Sequence, residues 1–169
     1  MTSKANGADP EPQQAVQVKM NVLNQYVRDL SFENILSQTQ TDAEVSPELK
    51  VDINLNALKR KTEHVYEVSI ELKVNSVNKA TEDTLFILEL DYVGVFRIEG
   101  VPEENMSPVL HIECPRLMFP FLRRIVSDVT RDGGFPPLNL DNIDFAHIYR
   151  NLIMRQKKSE ESKEKKADV

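Results

Sequence analysis

Tyr66-Glu67-Val68-Ser69-Ile70-Glu71-Leu72-Lys73-Val74-Asn75 is the stretch whose reading decides the fold. Successive strand side chains point to opposite faces, so Tyr66, Val68, Ile70, Leu72 and Val74 make an apolar row and Glu67, Ser69, Glu71, Lys73 and Asn75 a polar one. Upstream, Leu49, Val51, Ile53 and Leu55 alternate with Lys50, Asp52 and Asn54 in the same way. Further upstream, Val16, Val18, Met20 and Val22 alternate with Gln, Lys and Asn, and the pattern resumes at Leu30 and Phe32 after Tyr26-Val27-Arg28, as in one long bulged strand. Downstream, about 84–98, Phe86, Leu88, Leu90 and Tyr92 share one side and Ile87, Glu89, Asp91 and Val93 the other. The pattern predicts four antiparallel strands in sequence order, a sheet with one polar face and one apolar face that needs cover.

The second half supplies the cover, because its period changes. Val101-Pro102-Glu103-Glu104 suits a helix start, with Pro in the first turn and acids at the positive end of the helix dipole. That helix is expected to be interrupted near Pro115, after which Leu117, Phe121, Ile125 and Val129 recur at i, i+4, with Leu122 and Val126 widening the stripe. Pro120 should bend this helix, and Gly133-Gly134 should end it. The two prolines in Phe135-Pro136-Pro137-Leu138-Asn139-Leu140 favour an extended segment. Asp141 or Asn142 is the expected cap of a last helix carrying Phe145, Ile148, Tyr149, Leu152 and Ile153. The fold class is therefore α+β, a four-stranded antiparallel sheet with helices on one face.

With 169 residues, 40% of them hydrophobic and 28% charged, the chain suits one globular domain. Residues 1–14 and 157–169 hold almost no large apolar side chains and read as mobile tails around a domain at 15–156. Twenty-one Lys and Arg against 27 Asp and Glu give −6, which offers no footprint for nucleic acid or an anionic membrane and suits a basic partner. The apolar stretches Leu85–Leu90 and Leu117–Leu122 are far shorter than the ~20 residues of a membrane span. One cysteine and a polar N-terminus without an apolar core segment point to the cytosol.

Reactive groups do not assemble into a catalytic set. His111-Ile112-Glu113-Cys114 has the H-x-E opening of a zinc deaminase, but no C-x-x-C follows and only His64 and His147 remain as histidines, so neither a metal nor a cofactor is expected. An enzyme using Cys114 with His111 as its base is the reading from another class, and it requires a lowered thiol pKa.

Several separated blocks resemble the SecB protein-export chaperone family, over about residues 16–156. They are Cys114-Pro115-Arg116-Leu117-Met118-Phe119-Pro120-Phe121, Gly134-Phe135-Pro136-Pro137-Leu138-Asn139-Leu140, Asp144-Phe145, Arg28-Asp29-Leu30-Ser31-Phe32-Glu33 and Tyr92-Val93-Gly94-Val95-Phe96. The resemblance implies a homotetramer, a dimer of dimers with an eight-stranded sheet per dimer and helices between the dimers. It implies a bacterial cytosolic holdase that keeps unfolded preproteins competent for export and delivers them to the SecA motor ATPase, without cofactor or ATP hydrolysis of its own. By motif, the family's SecA contact maps onto Asp29, Glu33, Ile87 and Glu89. A same-fold chaperone for another aggregation-prone client, such as an antitoxin, would keep a client groove and lose the acidic docking pair.

An unfolded client offers apolar and backbone groups, so an exposed apolar groove suits it. The long connection Asn34–Glu48 and the last helix with its preceding segment are the candidates, with Ile35, Leu36, Val45, Leu138, Phe145, Tyr149 and Leu152 as lining. Phe86, Leu88, Leu90 and Tyr92 are expected under the helices, in the core or an oligomer contact.

Overall fold

The computed structural model describes residues 17–39 and 45–167, with the side chains of the last helix followed to residue 158. The expected N-terminal tail, 1–14, lies outside the described residues, as does Val16. Four strands, β1 (Lys19–Asn34), β2 (Pro47–Lys59), β3 (Val65–Asn78) and β4 (Thr84–Glu99), form one antiparallel sheet. A four-residue helix, α1 (Leu36–Thr39), follows β1. The helical half comprises α2 (Glu103–Pro108), a π-helical turn (Val109–Glu113), α3 (Cys114–Asp132) and α4 (Phe145–Ala167).

The strands do not lie in sequence order. Their order is β1-β4-β3-β2, so β1 pairs with β4, and β4 and β3 separate β1 from β2. Alternation fixes which face a strand buries, but it carries nothing about which strand is its neighbour. The length of the 34–48 connection was the available signal, being too long for a hairpin.

Two bulges explain the broken period of β1. Leu23 and Arg28 are extra residues opposite β4, and each flips the alternation. The helix-facing set therefore runs Met20, Val22, then Gln25, Val27, then Leu30, Phe32, each opposite an even-numbered residue of β4 from Ile98 to Leu88. On the central strands the same face holds Val68, Ile70, Leu72 and Val74 with Phe86, Leu88, Leu90, Tyr92 and Phe96, all buried. Tyr92 also donates a hydrogen bond to Gln25 Oε1 at 3.0 Å, tying the core to the edge strand.

The helix expected to break near Pro115 passes through the π turn instead. There the Cys114 N–H donates to the Val109 carbonyl five residues back, a wider turn placed just before a proline that has no N–H to give. Pro120 is carried within α3, on its exposed side. The stripe that packs on the sheet is Met118, Leu122 and Val126, whereas Leu117 and Phe121 face outward, 44% and 50% exposed. The helix is apolar around more than one face, so spacing alone does not choose which row meets the sheet.

The C-terminus of α3 is pinned by hydrogen bonds from both near and distant parts of the chain. Gly134 takes φ +87° and stops the helix. Thr130 Oγ1 accepts the Leu138 N–H at 2.9 Å, and Asn34 Nδ2 donates to the Gly133 carbonyl at 2.8 Å. Phe135 closes over Phe32 and Phe86, with ring centroids 6.3 and 4.7 Å away. Asp144, rather than Asp141 or Asn142, caps α4: its Oδ1 accepts the His147 N–H at 2.9 Å, and that bond holds the carboxyl below its ordinary pKa. The α4 backbone continues helical through 157–167, where composition predicts a mobile tail; Lys, Glu and Ala favour helix without needing a buried face.

Candidate functional site: an acidic face and an apolar groove on opposite sides of the sheet

The sheet face without helices is a grid read directly from the register. Asp29 of β1 lies beside Asp91 of β4, Glu71 of β3 and Asn54 of β2. The next row is Ser31, Glu89, Lys73 and Asp52, and the one after it Glu33, Ile87, Asn75 and Lys50. The pairing of β1 with β4 thus brings Asp29, Glu33, Ile87 and Glu89 together on adjacent strands. Asp29, Asp52, Glu71, Glu89 and Asp91 line a shallow bowl of about 380 Å³ on this face. Asp52 and Glu71 escape a reading that keeps strands in sequence order; with β4 between β1 and β3, they complete the acidic surface.

Charges at one end of this face are compensated. Arg28, the second bulge residue, donates to Asp91 Oδ2 at 2.6 Å and to Glu67 Oε1 at 3.1 Å, while Arg60 Nε reaches Glu67 Oε2 at 3.0 Å. Glu71 accepts a hydrogen bond from Asn56 at 2.9 Å, and Glu89 one from Lys73 at 2.6 Å. Among the described residues Asp29 and Glu33 take part in no ion pair. Their uncompensated charge makes this edge attractive to cations.

The other side of the sheet carries the apolar groove. Leu49, Val51 and Ile53 of edge strand β2 face the segment 138–143 across a hollow of about 450 Å³. A second hollow of about 240 Å³ continues from Ile53 to Ile148 and Leu152 of α4. Leu138 and Leu152 are therefore groove residues, and the Thr130–Leu138 bond fixes one wall. Arg123 fixes the same wall from outside, bonded to Asn142 Oδ1 at 2.8 Å with its guanidinium over the Phe119 ring. Leu49, Val51 and Ile53 were legible only as the apolar row of a strand. Their opening to solvent follows from β2 being an edge that α3 does not cover.

The remaining groove candidates divide. Phe145 is 2% exposed and packs edge-on against Phe119 at 5.8 Å, so it is a core residue and not part of an open lining. Tyr149 is half-buried but turned away: its hydroxyl donates to Ser107 Oγ at 3.0 Å and its ring stacks on His111 at 5.4 Å. Ile35 and Leu36 sit beside the start of β4, where the Ile35 N–H donates to the Leu85 carbonyl, and line neither hollow. Val45 is exposed just before β2.

The Cys114–His111 pair is not assembled. Cys114 is fully buried with its Sγ 3.8 Å from Met20 Sδ, and burial pushes its pKa up to about 12, the reverse of an activated thiol. His111 is engaged by the Ser107 carbonyl and the Tyr149 ring. Among the described residues no cluster of His, Cys, Asp and Glu has metal-binding geometry, and no helix is long and apolar enough to cross a membrane.

An acidic sheet face backed by an apolar groove defines a protein-binding scaffold. The family model described as preprotein translocase subunit SecB matches residues 13–156. The protein-export protein SecB of Ruegeria sp. (strain TM1040) is 58% identical over 151 residues, covering 89% of this chain and 92% of its own. That of Ruegeria pomeroyi is 53% identical over 157 residues, covering 93% and 94%. A solved Mycobacterium tuberculosis SecB-like chaperone, in complex with a peptide from an antitoxin, shares the fold at TM-score 0.57 and 14% identity, over 74% of this chain and 91% of that one. The chain belongs to the SecB family and is a protein-export chaperone.

Proposed function

We propose that the chain acts in the bacterial cytosol as a homotetramer that holds unfolded preproteins in the groove beside β2 and passes them to the SecA motor ATPase docked on the acidic face. The observation that carries this reading is the separation of the two surfaces by a single sheet. A groove whose leucine, valine and isoleucine side chains are interspersed with Asn, Gln, Asp and Arg offers apolar and hydrogen-bonding contacts to clients that share no sequence, and needs no cofactor to do so. Asp29, Glu33 and Glu89, with Ile87 between them, give a basic partner both steering and a small apolar anchor. Val22, Val27 and Leu30 of β1 and Leu117 and Phe121 of α3 stand exposed on the helix-bearing side of the lone chain. Together with the free edge of β1 they suit a dimer of dimers in which two sheets join and helices meet between them.

The test is capture of SecA by the wild type and by the Asp29→Lys, Glu33→Lys double variant. Loss of capture with client holding retained is expected. Unchanged capture would reject docking through this face and favour a same-fold chaperone serving another client, such as an antitoxin.

A further inference from the structure

Glu89 is already occupied by a cation in the free chain. The register sets Lys73 directly between Glu89 of β4 and Asp52 of β2 on the helix-free face. Its Nζ lies 2.6 Å from Glu89 Oε1, and this hydrogen bond, with a smaller contribution from the Asp52 charge, raises the lysine pKa. Both partners are about half exposed, at 53% and 49%, so water and salt compete for the pair and breaking it costs little. Lysine is a point charge on a flexible stem, free to exchange one carboxylate for another.

We propose that Lys73 is a built-in competitor for the basic docking partner, holding Glu89 in the free chaperone and yielding it by swinging toward Asp52 when a partner cation arrives. This rests on the reading of the helix-free face as the SecA docking site. An acidic surface without such a competitor would bind any polycation; the lysine sets a threshold that only a partner also engaging Asp29 and Glu33 passes. It acts as a specificity-determining residue of the docking face.

Binding of SecA to the full-length chaperone is titrated for the wild type, Lys73→Gln, Glu89→Gln and the double variant, at low salt where electrostatic docking is strongest. Lys73→Gln is expected to tighten binding about threefold, the scale of an exposed ion pair, and that gain should vanish in the Glu89→Gln background. Unchanged or weaker binding by Lys73→Gln overturns the proposal, as does a gain that persists undiminished without Glu89, which would make Lys73 a general charge. Absence of SecA binding by the wild type overturns the docking reading itself, and this inference with it.

Discussion

Replacing Phe145 by Ala separates core from groove at the residue where sequence and structure disagree. The ring is 2% exposed, begins α4 and meets Phe119 edge-on at 5.8 Å, inside the cluster that also holds Met118 and Leu122. Truncating a packed phenylalanine costs about 3–5 kcal/mol, transfer and cavity together, against total stabilities of roughly 5–15 kcal/mol. For a domain of this size that corresponds to a fall in Tm of about 6–20 °C. Leu152→Ala, half-buried at the groove, should cost under about 2 kcal/mol and instead weaken suppression of aggregation of an unfolded precursor. Denaturant unfolding at fixed protomer concentration, run beside the aggregation assay, reads both. A loss below about 1 kcal/mol for Phe145→Ala together with abolished client holding would place the ring on the client surface and refute the reasoning.

Gly133→Ala drives a Cβ into the Phe32 ring and should cost about 1–3 kcal/mol; adding Phe32→Ala should relieve part of it, giving a non-additive cycle in thermal unfolding. Cys114, with its pKa near 12, should carry a thiolate fraction at pH 8 roughly a thousandfold below that of an ordinary thiol, and alkylate only as fast as the protein opens; rapid modification of the folded chain would contradict its burial. Asp144 has a lowered pKa, so its contribution is fully present above the ordinary carboxylate value near 3.8 and is lost as pH falls through its lower folded value. Amide protection factors at residues 145–148, corrected for intrinsic exchange, should fall below that point before those of the sheet do, and Asp144→Ala should remove that fall.

Strand identities were legible because period-two alternation survives wherever one face is buried, as in Tyr66 to Asn75. Of the two bulges of β1, the one at Arg28 showed as a lost beat at Tyr26-Val27-Arg28, and the one at Leu23 did not. Adjacency was not legible: nothing local says that Asp29 neighbours Asp91 rather than a residue of β2. The proposed docking residues Asp29, Glu33, Ile87 and Glu89 were named through family resemblance, whereas their acidic neighbours Asp52 and Glu71 required the strand order. The groove was half legible for a different reason. An apolar residue reads alike whether a helix covers it, as over Leu88, or leaves it open, as at Leu49 and Val51. Phe145 and Leu152 lie on one helical stripe, yet one is sealed by Phe119 and the other borders a hollow. Burial is decided by where α3 ends across the sheet, a tertiary fact.

On the proposed reading client and motor bind opposite faces of the sheet, so neither should exclude the other. Native mass measurement of the chaperone mixed with an unfolded precursor and SecA tests this most directly. The account predicts one species containing four chaperone chains, the precursor and SecA together. Strict alternation, with the precursor displacing SecA or SecA displacing the precursor before any nucleotide is added, would contradict it.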